Sequence, residues 1–199
     1  LLLPLLAPPV ARPPPGRFET VAVDIGQGTA VLVRTARHLL VYDAGPFYSR
    51  ESDAGVRVLL PLLRARGETH VDLLMISHKD ADHVGGAAAL MAGLPVRQLS
   101  SSLGAEHPLL AHGVPHRPCH AGQSWVWDGV RFDVLHPLAQ DLAQPLKANA
   151  LSCVLRVQGA ASGALDGDAR LDGEGHAALD RDDTAEGGIA GPAGVPLDV

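Results

Sequence analysis

Aromatic side chains are scarce in this chain: two Trp, two Tyr and three Phe in 199 residues. A core is therefore expected to be built from Val, Leu and Ala. Cysteine is as rare. Cys119 and Cys153 allow one bridge at most, nothing in their positions brings them together, and two small buried or idle thiols are expected. A basic excess is missing too. Residues 1–158 hold 14 Lys and Arg against 13 Asp and Glu, a balance of +1. Residues 159–199 hold 2 against 9, a balance of −7. That argues against a broad, tight electrostatic platform for nucleic acid, although bound metal cations would add positive charge locally. The apolar start, residues 1–7, is far shorter than the roughly 20 residues a membrane helix needs. No charged segment precedes it, so a signal peptide fits poorly. The end of a membrane helix cut from a longer protein and a disordered apolar stub both remain open, and the initial Leu points to a fragment or a processed chain.

What is present is enough for one domain with a sizeable core. Five prolines and two arginines in residues 8–17 predict a stiff, extended linker ahead of a domain that begins near Phe18. Alternating and Val-rich stretches predict strands over Thr20–Asp24, Thr29–Arg34 and Leu39–Asp43, joined as a meander with a turn at Gly26-Gln27-Gly28. Apolar residues at helical spacing predict a helix over Val56–Arg66, with Pro61 near its start and Gly67 at its end. Val71–Ser77 reads as a buried strand, Val84–Ala92 as a short helix and Val96–Ser100 as a weak strand. Residues 104–122 read as a loop with a helical turn near Leu109. Trp125–Trp127, Val130–Leu135 and Ser152–Gln158 read as strands, the first two joined through Asp128-Gly129. Residues 163–168 suggest a last short strand. The rest of 159–199 is mostly Gly, Ala and Asp, too poor in large apolar residues to offset ordering entropy, and reads as a low-complexity acidic tail.

The chemistry concentrates in His78-Lys79-Asp80-Ala81-Asp82-His83. A buried strand delivers four potential ligands within six residues. In an extended stretch His78, Asp80 and Asp82 would share one face, with His83 beside them. Two imidazoles and two carboxylates suit Zn²⁺ or Mn²⁺, which supply Lewis acidity and an activated water near neutral pH. Gly85-Gly86 opens the next helix, whose first amides could help to hold an anion. His107, His112, His116 and His120 follow at irregular spacing that does not define a second site.

His78 to Gly86 resembles the second motif of the metallo-β-lactamase superfamily, which usually reads His-x-His-x-Asp-His. Asp80 at the second His position resembles the hydrolase domain of ComEC-type competence proteins, which are channels for DNA uptake. Further stretches are similar in family order: 24–30, 40–45, 58–63, 128–137 and 149–155. The resemblance covers about residues 18–158. It implies an α/β fold, the αββα metallo-β-lactamase sandwich, with divalent metal, Mn²⁺ or Zn²⁺, two ions in the full family domain. His78 and Asp80 would hold one ion, Asp82 and His83 the other, with Asp80 and Asp82 serving catalysis. Asp43 would steady the metal loop. Asp168 resembles the family's strand-ending Asp that bridges the metals, though it stands in a stretch full of Asp. Asn149 and Ser152 match an Asn-x-x-Ser pattern and could line the site. His136 also matches the family, but reads as an ordinary strand-end His.

The resemblance further implies a phosphodiesterase or nuclease acting on single-stranded DNA. It would degrade the non-imported strand on the outer face of the bacterial cytoplasmic membrane, next to a channel region upstream in the same protein. Past Asp168 the pattern departs. The family's late Pro-His-His-Gly-Ser motif has no counterpart, and His176 is the one later histidine. The second half of the sandwich is therefore expected to be truncated or degenerate. Two rivals stay open: an inactive fragment that binds metal or DNA without turnover, and a small-molecule lactonase or β-lactamase-like hydrolase. Asp80 and the 24–30 stretch speak against the second.

Overall fold

A computed structural model describes residues 11–160, 168–171 and 177–180. The apolar start, residues 163–167 of the expected last strand, and most of the acidic tail lie outside the described residues.

Strands β1 (Glu19–Ala22), β2 (Val31–Arg34) and β3 (Leu39–Tyr42) form the expected antiparallel meander. A small hairpin follows, β4 (Phe47–Ser49) with β5 (Ser52–Asp53), which the sequence did not suggest. The helix expected over Val56–Arg66 begins as a wide π-type turn at Gly55–Leu59 and becomes α1 (Leu60–Ala65), with Pro61 in its first turn. The chain then lays β6 (Val71–Ile76) parallel to β3. Helices α2 (Ala81–Val84) and α3 (Ala87–Gly93) lead to β7 (Val96–Ser101), parallel to β6. β8 (His116–Pro118) adds a parallel edge strand inside the stretch read as a loop. The first sheet thus runs β1-β2-β3-β6-β7-β8.

The second sheet is antiparallel. β9 (Ser124–Trp127) and β10 (Val130–His136) form the hairpin expected from Asp128-Gly129, and β11 (Val154–Gln158) pairs with β10. β12 (Asp168–Leu171) and β13 (Ala177–Asp180) extend this sheet from within the stretch read as an unstructured tail. Asp168, the last residue of the strand expected over 163–168, opens β12. Local composition gives little support to β12 and β13; the edge of β11 offers the free backbone groups that they pair with.

The first sheet is buried on both faces, which is why β6 reads as an almost continuous apolar run. Leu32, Val41, Leu74 and Ile76 face Leu59, Leu63 and Leu90 on the helical side. Val33, Leu40, Tyr42, Leu73 and Met75 face the second sheet. The inter-sheet core corrects the expectation of a purely aliphatic interior. Trp125 stacks on Phe132 with ring centroids 5.1 Å apart, and Trp127 meets the same ring edge-on at 5.2 Å. Most of the few aromatics lie where two sheets must be held about 10 Å apart.

Two further expectations are corrected. Cys119 and Cys153 form a disulfide. Backbone bonds place Cys119 beside Ser101 at the end of β7 and Cys153 beside Ser77 at the end of β6. Because β6 and β7 are neighbours, residues 34 apart in sequence become adjacent. The stretch expected to be a free linker also belongs to the domain from Arg12 onward. Arg12 pairs with Glu68 and donates to the His38 carbonyl at 3.2 Å. The Gly16 amide donates to the Asp128 carbonyl, and Ala160 donates to that of Gly16.

Candidate metal centre

The centre is assembled at the adjoining ends of β3 and β6. β3 is followed at once by Asp43, which is fully buried and takes a left-handed backbone (φ 57°), a conformation that Asp tolerates better than most residues. Its carboxylate then reaches across to β6. Oδ1 accepts the Ser77 amide at 2.7 Å, and Oδ2 accepts the Ser77 hydroxyl at 2.7 Å and His83 Nδ1 at 2.8 Å. The single hydroxyl proton of Ser77 is committed to Asp43. The contact between Ser77 Oγ and His78 Nδ1, 2.9 Å, must therefore be donated by the imidazole. Ser152 Oγ lies 3.3 Å from the same nitrogen. Both histidines thus carry their proton on Nδ1 and direct Nε2 outward, the arrangement in which imidazoles serve as metal ligands.

His78 Nε2 stands 3.5 Å from Asp80 Oδ2, and His83 Nε2 stands 3.5 Å from Asp82 Oδ2. The two rings lie 4.1 Å apart. Both carboxylates are half-open to solvent, at 47% of their side-chain area, while both imidazoles are buried. Burial and the neighbouring His83 charge push the His78 pKa down, towards the neutral ligand form. Burial also acts to lower His83, but the hydrogen bond and charge of Asp43 outweigh it and push His83 up. Burial raises the Asp43 carboxyl against His83 and Ser77, which favour its charge.

The four expected ligands are therefore brought together, but not along one extended face. Asp80 precedes α2, and Asp82 and His83 lie on that short helix, so His78 partners Asp80 and His83 partners Asp82. Among the described residues no three His, Cys, Asp or Glu side chains gather tightly enough to close a shell around one ion. The donor set nevertheless fits divalent metal. Two imidazole nitrogens, oriented by buried oxygen partners, sit beside two unencumbered carboxylates. The expected anion-holding amides of Gly85-Gly86 are already committed, to the carbonyls of Ala81 and Gly45. The helix predicted from Val84 to Ala92 is broken at that dipeptide, where Gly85 packs on the Pro46–Phe47 backbone and Gly86 on Ala44 and Gly55.

The turn at residues 24–30 braces the loop from outside. The Thr29 amide donates to the Asp82 carbonyl at 3.1 Å, and Ala44 donates to that of His83 at 2.8 Å. Gly28 takes φ 127° directly against the Asp82 backbone, where a Cβ would collide. Ser77 escaped notice in the sequence, although its place between a buried strand and His78 is a usable signal. Ser152 joins the centre. Asn149 is exposed, and His136 is spent on the Ser152 carbonyl, 2.8 Å from its Nδ1. Asp168 opens β12 opposite Gln158, and its side chain lies outside the described residues. Of the loop histidines, His116 contacts Ser101 Oγ, His120 contacts the Ala121 carbonyl and His107 accepts the Leu109 amide.

Residues 23–187 match the metallo-beta-lactamase superfamily, and the chain belongs to it. Solved structures agree on the fold. MEM-A1, a subclass B3 metallo-beta-lactamase from a soil metagenome library, gives a TM-score of 0.54 at 16% identity, covering 79% of this chain and 62% of that one. Among curated proteins, Competence protein ComA of Neisseria gonorrhoeae is 37% identical over 152 residues, 76% of this chain and 20% of that protein. Recombination protein 2 of Haemophilus influenzae is 32% identical over 159 residues, 79% of this chain and 19% of that protein. The chain thus spans about a fifth of the length of these relatives. The similarity to ComEC-type competence proteins, read from motifs, extends over about three quarters of this chain.

Proposed function

We propose that this chain is the metal-dependent phosphodiesterase domain of a DNA-uptake competence protein, a nuclease that degrades the non-imported strand. The observation that carries the reading is the outward-facing His78–Asp80 and His83–Asp82 pairs, fixed from behind by Asp43, Ser77 and Ser152. Relatives named as a competence protein and a recombination protein support DNA as the substrate class.

A pair of divalent ions, Mn²⁺ or Zn²⁺, would supply Lewis acidity at neutral pH. His78 and Asp80 would hold one, and Asp82 and His83 the other, with Asp168 as a further candidate ligand. Asp43 keeps the His83 proton on Nδ1, so that Nε2 stays free. Ser77 and Ser152 do the same for His78. Asp80 and Asp82, half-open to solvent, are the groups that face an incoming phosphodiester. Single-stranded DNA is the proposed substrate, and a channel region of the same protein the proposed neighbour. The outer face of the cytoplasmic membrane is the proposed location. The Cys119–Cys153 bridge favours it, because disulfides persist in oxidising compartments.

End-labelled single-stranded DNA incubated with the chain and Mn²⁺ tests the proposal, beside an Asp82→Ala/His83→Ala control. Cleavage that disappears in the control is expected. A chain that binds Mn²⁺ and leaves the strand intact would sink it.

A further inference from the structure

The β4–β5 hairpin puts aromatic rings in water beside the metal loop. Phe47 is 57% exposed and Tyr48 40%, in a chain whose other large rings are mostly interior. Val56, 53% exposed, adjoins them in sequence terms through the turn after β5. The guanidinium of Arg57 lies over the Tyr48 ring, 5.4 Å from its centroid, and Arg50 is exposed at the hairpin turn. The hairpin is not a loose flap. Tyr48 donates its hydroxyl to the Ile25 carbonyl at 2.8 Å, Ala54 closes on the Pro46 carbonyl, and Gly85 packs directly on the Pro46–Phe47 backbone. Gly85 is two residues from His83, so the rings are tied to the metal loop by backbone contact. Two carboxylates share the hairpin: Asp53 is engaged with the Val56 amide, and Glu51 is exposed at the turn.

Exposed aromatics interleaved with arginine are what a sequence-tolerant site for unpaired bases requires. Rings stack on bases, whichever base is present, and guanidinium groups meet phosphates or add cation–π attraction. A chain with a balance of only +1 over residues 1–158 has little broad electrostatic attraction to offer, so stacking gains weight in holding a strand. Resting on the nuclease reading above, we infer that Phe47, Tyr48 and Arg57 form a stacking subsite that grips unpaired bases of single-stranded DNA next to the metal loop.

Fluorescence anisotropy with a labelled short oligothymidylate, and with an abasic strand of the same length, tests this. Ca²⁺ replaces Mn²⁺, so that binding is read independently of turnover. The wild-type chain should prefer the base-bearing strand by about tenfold or more, the value of a single stacked base. Phe47→Ala and Arg57→Ala should each remove most of that preference. Phe47→Leu, which keeps apolar bulk without a ring face, should behave like the alanine variant. These side chains are exposed, so folding is spared. Equal binding of both strands by the wild type, or an undiminished preference in Phe47→Ala, would overturn the inference. So would intact DNA binding in Phe47→Ala with lost retention on anionic phospholipid vesicles, which would assign the patch to a lipid surface. Absence of cleavage in Mn²⁺ alongside a base preference that Phe47→Ala abolishes would overturn the nuclease reading alone.

Discussion

Asp43 and His83, 40 residues apart in the chain, are joined by a 2.8 Å hydrogen bond that decides which nitrogen of His83 faces outward. Asp43 contributes through orientation, since its carboxylate is fully buried and points away from solvent. Asp43→Asn keeps the shape, but turns an amide donor towards at least one of three groups that themselves donate. Affinity for Zn²⁺ should fall by on the order of 10- to 100-fold, the usual effect of losing a partner behind a metal-ligating histidine. Calorimetric titration reads this directly. Affinity equal to the wild type would mean that Asp43 does not orient His83.

Gly28 and Gly26 make a contrasting pair of tests. Both have positive φ, so alanine is strained at either: Gly26 (77°) lies near the left-handed region, where the cost is about 1 kcal/mol, and Gly28 (127°) lies beyond it, in backbone that glycine alone adopts readily. A Cβ at Gly26 meets nothing within 4 Å, whereas one at Gly28 would run into the Asp82 carbonyl. Gly26→Ala should therefore lower the melting temperature slightly and leave metal affinity alone. Gly28→Ala should displace the loop backbone that carries Asp82, weakening metal binding well beyond its loss of stability. Identical behaviour of the two variants would remove the bracing role given to the 24–30 turn.

The same contrast marks what the sequence could and could not reveal. The metal loop was legible because its ligands are contiguous and follow an unbroken buried strand, and strands β1–β3, β6, β9 and β10 because their apolar runs or alternation are local. The partners that make the loop work are not local. Asp43 and Ser152 could be suggested only by resemblance, and the position of Ser77 before His78 does not say that its hydroxyl links Asp43 to that ring. The disulfide, the docking of Arg12 on Glu68 and the pairing of β12 with β11 all depend on sheet register, which brings distant residues together. The break between α2 and α3 comes from the Gly85-Gly86 backbone meeting the 44–47 and 55 backbone, a contact that no helical periodicity encodes.

The disulfide makes a second kind of demand on stability. Cys119 and Cys153 close a loop of 34 residues, for which chain entropy gives about 4 kcal/mol. The bridge also holds Cys153 next to Ser152, whose hydroxyl lies 3.3 Å from His78. Reduction should lower the urea midpoint and weaken metal binding together. The Cys119→Ser/Cys153→Ser variant should show both effects without any reductant, and no further change when reductant is added. A wild-type midpoint indifferent to dithiothreitol would deny the bridge a stabilising role.

Asp128 sets the expected response to acid. It links the β9–β10 hairpin to the β2–β3 hairpin by accepting the Thr35 hydroxyl at 2.7 Å, the Arg37 amide and Nε at 2.7 Å each, and His38 Nδ1 at 3.0 Å. Its side chain is 2% exposed. Burial alone would raise its pKa, but the donors from His38, Thr35 and Arg37 outweigh burial and hold it far below the usual carboxylate range. A carboxyl whose folded pKa is depressed contributes stability above its unfolded value, near 4, and loses it as pH falls towards the folded value. Part of the acid destabilisation of this chain should therefore originate at Asp128. Asp128→Asn is the informative variant, because Asn tolerates the positive φ of this turn (52°) and keeps the Gly129 pairing intact. Measured by urea unfolding at a series of pH values, it should be less stable than the wild type at pH 7, and the gap should narrow as pH falls below about 4. A gap that stayed constant down to the lowest pH would show that the Asp128 charge contributes nothing, and that only the shape of its side chain holds the two hairpins together.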